Sequence, residues 1–156
     1  MTDEFVEIER KFLTHPNFPR SDQFIDVKQG YLSQANETEL RIRVETNRAL
    51  LTKKTRLDHI SAHELSSEIN HELGMALLEL CDADRIIYKR RFFVEIGELT
   101  WEIDEFFNRN SGLIIAEVEL GSVEQAVDLP EWLDREITTE PMYRNSSLYH
   151  HPLDLT

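Results

Sequence analysis

Apolar and polar residues alternate along most of the first 120 positions of the chain. In residues 39–45, for example, three aliphatic residues alternate with Arg41 and Arg43. Successive side chains of a strand point to opposite faces, so this period of two predicts β-strands with one aliphatic and one charged face. Eight such strands are predicted, at residues 6–12, 27–33, 39–45, 49–55, 63–69, 86–96, 99–107 and 113–120.

Helical periodicity is confined to a few segments. Apolar residues recur at three- and four-residue spacing after Asn70, which predicts an amphipathic helix over 70–81 with Asn70 as its N-cap. Shorter helices are predicted in the C-terminal part of the chain, over 122–127, 130–133 and 143–149. Pro130 suits the first turn of the second of these.

The charged faces decide how the strands are arranged. Antiparallel sheets commonly expose one face to solvent, so the ordinary interpretation is that these charged side chains are simply solvated. Like-charged neighbours, such as Arg41 with Arg43 and Glu117 with Glu119, are unfavourable without counter-charges nearby. A barrel with the charges inside brings both signs together. We therefore predict an α+β fold: a closed eight-stranded antiparallel β-barrel, a tunnel with a charged interior and helices packed outside, formed as one domain by residues 1–156.

Composition limits the function classes. The chain has 30 acidic and 17 basic residues and a net charge of −13, which argues against non-specific binding to nucleic acid or acidic membranes. A small polyanion is still compatible, because a local cationic cluster can attract it. The sequence has one cysteine, Cys81, which fits a reducing compartment. No apolar run is long enough for a membrane helix, and we expect no secretory signal in the acidic N-terminal residues. We expect a cytoplasmic protein.

The charged segments resemble, in order, the motifs of the CYTH superfamily, the triphosphate tunnel metalloenzymes. Residues 7–11, Glu-Ile-Glu-Arg-Lys, resemble the opening Glu-x-Glu-x-Lys signature of that family. Further matches lie at residues 29–32, 40–43, 51–54, 89–92, 101–104, 116–120, 132–138 and 143–145. The resemblance covers nearly the whole chain, and it is greatest to the small bacterial members that act as inorganic triphosphatases.

The resemblance implies a role for each charged position. Basic side chains would hold a triphosphate, namely Lys11, Arg41, Arg43, Lys54, Lys89 and Arg91. Acidic side chains would bind Mg²⁺ or Mn²⁺, namely Glu7, Glu9, Glu117 and Glu119. The catalytic residues would be Glu102, Asp104 and Lys11, with the two carboxylates orienting a water. Glu64 matches a further acidic position. The chemistry agrees, because oxygen ligands suit Mg²⁺ and guanidinium groups match phosphate oxygens.

The implied activity is metal-dependent hydrolysis of inorganic triphosphate to pyrophosphate and phosphate. Thiamine triphosphatase, nucleoside triphosphatase, a class IV-like adenylate cyclase and a non-catalytic polyphosphate-binding module remain alternatives. The last is left open by Ala62 and Ser66, because related proteins often have an arginine and a carboxylate there. The expected partner is a triphosphate-containing small molecule, without nucleic acid or membrane, and a homodimer is left open.

Overall fold

The structure is a computed structural model that describes residues 2–155. Its strands are β1 (Thr2–Thr14), β2 (Phe24–Ala35), β3 (Thr38–Val44), β4 (Ala49–Arg56), β5 (Ser61–Ile69), β6 (Ile87–Ile96), β7 (Leu99–Phe106), β8 (Ile114–Glu119) and β9 (Leu133–Glu136). Its helices are α1 (His71–Leu78) and α2 (Asn145–His150), with 3-10 turns at Asn108–Asn110 and Pro141–Tyr143. Among the described residues, no helix has the length and apolar character needed to span a membrane.

Eight of the strands close into a barrel. Around the ring they follow the order β1, β5, β4, β3, β2, β6, β7 and β8, and all neighbours are antiparallel. The ring closes on β1, which pairs with β5 over Thr2–Ile8 and with β8 over Glu9–Leu13. The predicted closed eight-stranded barrel is therefore confirmed, and β1 is its longest strand.

The ninth strand replaces predicted helices. β9 pairs with β1 at Phe12 and Thr14, and Ile137 N donates to Lys11 O at 2.8 Å. The predicted helices over 122–127 and 130–133 are wrong, because the first segment is irregular after a turn and the second leads into β9. Pairing with β9 satisfies backbone groups of β1 beyond its ladder with β5, which a helix in this segment would leave without these partners.

Helix α1 confirms the prediction for residues 70–81, although it ends three residues earlier. The Asn70 side chain caps it by accepting from the backbone N–H of Glu72 at 2.8 Å and of Leu73 at 3.3 Å. Gly74 faces the barrel, where an added Cβ would lie 2.3 Å from the Cβ of Ala49. The glycine therefore lets α1 pack directly on the outer surface of β3 and β4.

The aliphatic residues of the wall pack outward, as predicted. Trp101, buried on β7, makes edge contacts with Phe12 at 5.8 Å and with Trp132 of the C-terminal segment at 5.7 Å. On the α1 side, the cluster comprises Ile42, Val44, Ala49, Leu78 and Cys81. With these side chains outside, their charged neighbours along each strand face the lumen.

One end of the lumen is apolar. Tyr31, Phe106 and Ile115 alternate with outward-facing residues and belong to one buried cluster. Leu148 and Tyr149 of α2 join the same cluster, and the Tyr149 ring lies 5.3 Å from that of Tyr31. Helix α2, which confirms the prediction over 143–149, thus packs against this apolar end and leaves the charged part of the lumen beside it.

Candidate functional site

A charged cavity of about 90 Å³ lies inside the barrel. Side chains from six strands and α2 line it, and all but one of these side chains are ionisable. The lining residues are Glu7, Glu9, Lys11, Arg41, Lys54, Arg91, Glu102, Glu117, Glu119 and Asn145. The register explains this convergence: Glu9 is paired with Glu119 and Lys11 with Glu117, and paired residues on neighbouring strands point to the same face.

Lys54 of β4 connects three consecutive strands of the ring, β4, β5 and β1. Its Nζ lies 2.9 Å from Glu7 Oε1, 3.6 Å from Glu64 Oε1 and 3.9 Å from Glu9 Oε1. Glu64 also lies 3.4 Å from Arg41 Nη2. Lys54 and Glu64 are both buried, so each charge depends on its partners rather than on water.

Lys11 lies between two carboxylates at the centre of β1. Its Nζ is 3.4 Å from both Glu9 Oε1 and Glu117 Oε1. Burial lowers the pKa of Lys11, but the charges of Glu117 and Glu9 raise it more, so that it lies above its ordinary value. The ammonium group therefore stays charged in the working range of pH.

Asp104 is buried and holds two cations. Arg91 donates to its two oxygens from Nε at 2.7 Å and Nη2 at 2.8 Å, and Lys89 Nζ donates at 2.9 Å. Burial raises the pKa of Asp104, but the positive charges of Arg91 and Lys89 lower it by more. The pKa therefore lies below its ordinary value, and the carboxylate stays ionised. Asn145 accepts a hydrogen bond from Lys89 at 3.0 Å, and Arg91 also contacts Glu102.

The charge of Lys89 is sensitive to pH, because the pKa of its ammonium group is lowered. Burial lowers its pKa to about 8; Asp104 opposes this shift, and the positive charge of Arg91 adds to it. Asp104 compensates Lys89 incompletely because it also pairs with Arg91 through two hydrogen bonds. A rise in pH through this value would therefore neutralise the Lys89 ammonium group.

Two lining carboxylates, Glu119 and Glu102, have pKa values above their ordinary range. Burial raises the pKa of Glu119, and repulsion from Glu7, Glu102 and Glu9 adds to the rise. Arg91 lowers the pKa of Glu102, but burial together with Glu117 raises it more. Carboxylates that repel one another in this way are stabilised by a bound cation.

The donor set fits a hard divalent ion in chemistry. Carboxylate oxygens are the ligands that Mg²⁺ favours, usually a few of them together with water and substrate phosphates. Within residues 2–155, no three His, Cys, Asp or Glu side chains are already placed around one metal position. Glu7 and Glu9 are instead engaged by Lys54 and Lys11, so an ion would have to compete with these ammonium groups.

Comparison with known proteins agrees with this geometry. The profile of the CYTH domain matches residues 6–149. The chain belongs to the CYTH domain family. The inorganic triphosphatase of Acetivibrio thermocellus is 34% identical over 147 residues, which cover 94% of each chain.

Solved structures support the same assignment of this CYTH chain. The inorganic triphosphatase NE1496 superposes with a TM-score of 0.68 at 29% identity, over 92% of this chain and 93% of that one. A conserved hypothetical protein from Pyrococcus furiosus gives a TM-score of 0.59 at 21% identity, over 76% of this chain and 80% of that one, which shows the shared fold alone.

Most residues predicted from the CYTH motifs converge on the cavity, and three do not line it. Lys89 and Asp104 lie in the wall behind Arg91. Arg43 Nη2 pairs with Glu45 at 2.8 Å, near the end of β3. These three side chains contribute charge close to the cavity without belonging to its lining.

One lining residue of this CYTH domain, Asn145, had no role assigned from the motifs, and two further residues depart from the family pattern. Asn145 was not a predicted site residue, because a neutral side chain beside a short helix breaks no charge pattern. Ala62, one departure from the family pattern, is paired with Glu7 on one side and Arg56 on the other. Ser66, the second departure, shares a hydrogen bond of 2.8 Å with Thr52.

Proposed function

We propose that this CYTH protein hydrolyses inorganic triphosphate to pyrophosphate and phosphate. The observation that carries the proposal is the sorting of charge inside the barrel, where buried cations and carboxylates surround one cavity. A triphosphate needs several cationic groups, and its hydrolysis depends chiefly on positioning and charge neutralisation. The names of the Acetivibrio relative and of NE1496, both inorganic triphosphatases, support the same substrate.

Basic residues would bind the phosphoryl groups. Lys11, Arg41, Lys54 and Arg91 line the cavity, and Arg43 and Lys89 add charge close by. Arginine offers paired N–H donors to phosphate oxygens, whereas lysine acts as a compact charge. In the free protein these groups are paired with carboxylates, so a triphosphate would take over the cations that Glu7, Glu9 and Glu64 now hold.

Acidic residues would hold Mg²⁺ or Mn²⁺ when the substrate is bound. The proposed ligands are Glu7, Glu9, Glu117 and Glu119, of which Glu119 has no cation within 4 Å in the described chain. Such an ion, when bound, would neutralise charge on the phosphoryl oxygens. The raised pKa of Glu119 agrees with this role, because its carboxylate is stabilised by added positive charge.

Three residues would act on the reacting groups or position those that do. Glu102 lines the cavity and would orient the attacking water, its raised pKa bringing it nearer to neutral pH. Lys11, permanently charged, would stabilise the developing negative charge. Asp104 accepts from both Lys89 and Arg91, so we assign it the positioning of these cations rather than contact with water.

A second cavity favours a second candidate substrate, a triphosphate with an organic group. This cavity of about 400 Å³ includes Lys89 and is lined by apolar side chains such as Val27, Met75, Tyr88 and Phe107. An aromatic base or thiazole ring could pack there while its phosphates reach the charged lumen. Thiamine triphosphate and nucleoside triphosphates therefore belong in the test.

Phosphate release from a substrate panel tests the proposal. We expect release from tripolyphosphate with Mg²⁺ or Mn²⁺, little after chelation, and lower kcat/KM with ATP and thiamine triphosphate. Faster turnover of an organic triphosphate would establish the second candidate, and cyclic AMP from ATP would identify a cyclase. Absence of release from every compound, together with thermal stabilisation by tripolyphosphate, would replace the proposal with a binding module.

A further inference from the structure

Arg56 extends the inner face of β4 beyond the charged cavity. It follows Lys54 by two residues, which places it on the same face about 6.6 Å further along the strand. Its partner on β5 is Ala62, which carries no charge to pair with the guanidinium group. Arg56 is half-buried, and within residues 2–155 no carboxylate lies within 4 Å of its side-chain nitrogens.

Arg144, immediately before α2, is a second, weakly paired cation in this region. Its Nη1 lies 4.0 Å from the exposed carboxylate of Glu37, at the limit of an ion pair. Burial lowers the pKa of Arg144, and the positive charge of Arg56 lowers it further. The two guanidinium groups are therefore close enough to repel, which a bound anion would reverse.

Both arginines line two cavities that share lining residues with the charged lumen. One, of about 320 Å³, also contains Lys54, together with the hydroxyl groups of Thr38, Ser146 and Ser147. Arg56 and Arg144 also share a smaller cavity with Lys11 of the lumen. A phosphate chain leaving Lys54 through the larger cavity would thus meet the arginine pair next.

Two carboxylates in the larger cavity weaken its binding of anions. Glu37 and Glu39 line it with the arginines, and both oppose the loss of charge from Arg144. Glu39 is half-buried and lies opposite Lys54 in the β3–β4 pairing. Removal of the Glu39 charge should therefore strengthen anion binding there, while removal of the arginine charges should weaken it.

We propose that Arg56 and Arg144 form an outer anion subsite, which binds the phosphoryl groups of a polyphosphate that extend beyond the three held in the lumen. This inference rests on one part of the proposed function, namely that the lumen binds the first three phosphoryl groups. It implies that tetrapolyphosphate and longer chains bind more tightly than tripolyphosphate.

The test compares tripolyphosphate with tetrapolyphosphate in titration calorimetry of the metal-free protein, where no turnover is needed. The double variant Arg56→Gln/Arg144→Gln should weaken tetrapolyphosphate binding by about tenfold, the scale of a lost charge-assisted hydrogen bond, and change tripolyphosphate binding by less than about twofold. Glu39→Gln should tighten tetrapolyphosphate selectively. Arg20→Gln/Arg109→Gln removes two exposed surface charges and should leave the chain-length preference unchanged.

Each outcome assigns failure to one claim. Equal weakening of both ligands, or no weakening of tetrapolyphosphate, would overturn the outer subsite even if the protein hydrolyses tripolyphosphate. Selective weakening in a protein that releases no phosphate would support the subsite and reject the hydrolytic function. Thermal unfolding of each variant confirms that the compared proteins are folded.

Discussion

Strand β7 shows how the two faces of the barrel wall differ. Trp101 and Ile103 point outward and are fully buried among apolar side chains. Asp104 points inward and is equally buried, but it is held by hydrogen bonds from Arg91 and Lys89. The outward face gains stability from apolar burial, whereas the inward face must first recover the cost of removing charges from water.

This difference indicates which face serves the fold and which serves the ligand. Buried ion pairs can often be replaced by apolar residues without loss of stability, so the fold does not require a charged lumen. Removing one partner from such a pair is costly, since it leaves a buried charge without compensation. Substitutions on the two faces should therefore separate activity from stability.

The largest effect is expected from an inward-facing arginine. Arg41→Ala should lower kcat/KM for tripolyphosphate by roughly 10²–10³-fold, the scale of losing one donor to developing charge. Arg10→Ala is the matched control, because Arg10 lies on the outward face and pairs with exposed Glu136. Steady-state kinetics with circular dichroism checks both variants, and comparable activity of the two would contradict the assignment of faces.

An outward-facing core residue should give the reverse pattern. Ile103→Ala is expected to lower the free energy of unfolding by about 2–5 kcal/mol, because a fully buried side chain leaves a cavity. KM for tripolyphosphate should not change under conditions where the variant is folded. Urea denaturation measures the loss, with the exposed Leu57→Ala as control. A large change in KM without loss of stability would refute the separation.

The packing of α1 on the outer wall provides a second test of how the outward face contributes to stability. Gly74→Ala places a methyl group 2.3 Å from Ala49 Cβ and should cost about 1–3 kcal/mol through overpacking, despite the better helix propensity of alanine. The double variant Gly74→Ala/Ala49→Gly removes the clash and should recover part of the stability in thermal unfolding. Failure of this rescue would show that the close approach is not the cause.

A smaller effect is expected from pH. Lys89 has a folded-state pKa of about 8, so its charge is present below that pH and is lost as the pH rises through it. KM for tripolyphosphate should therefore increase severalfold above pH 8. Lys89→Arg keeps the charge and should flatten this limb of the profile. An unchanged limb in that variant would exclude Lys89 as its origin.

Features that depend on neighbouring residues in the sequence were predicted correctly, whereas those that depend on contacts between distant segments were not. Alternation is a local property, so it located the eight barrel strands and identified which residues of each strand share a face. It did not predict β9, because four residues such as Leu133–Glu136 are too short for a clear period. That strand forms because β1 offers free backbone groups, which is a long-range condition. The helix predicted over 122–127 also does not form, and Val127 of this segment packs against the buried cluster that contains Trp101.

The site was predictable in composition but not in connectivity. The motifs identified charged residues on each strand, and nine of the twelve predicted residues line the cavity. The partner of each charge depends on distances between strands that are not paired, as when Lys54 of β4 reaches Glu7 of β1 past β5 at 2.9 Å. The sequence therefore could not show that Asp104 is fully engaged by Arg91 and Lys89. Arg56 could have been found, because it continues the alternation of Thr52 and Lys54.

Binding of tripolyphosphate by the lumen is the central claim, and titration calorimetry of the metal-free protein measures it most directly. We expect saturable binding of one equivalent by the wild-type protein, at least tenfold weaker binding by Arg41→Ala, and unchanged binding by Arg10→Ala. Absence of saturable binding, or equal affinity in the two arginine variants, would contradict it.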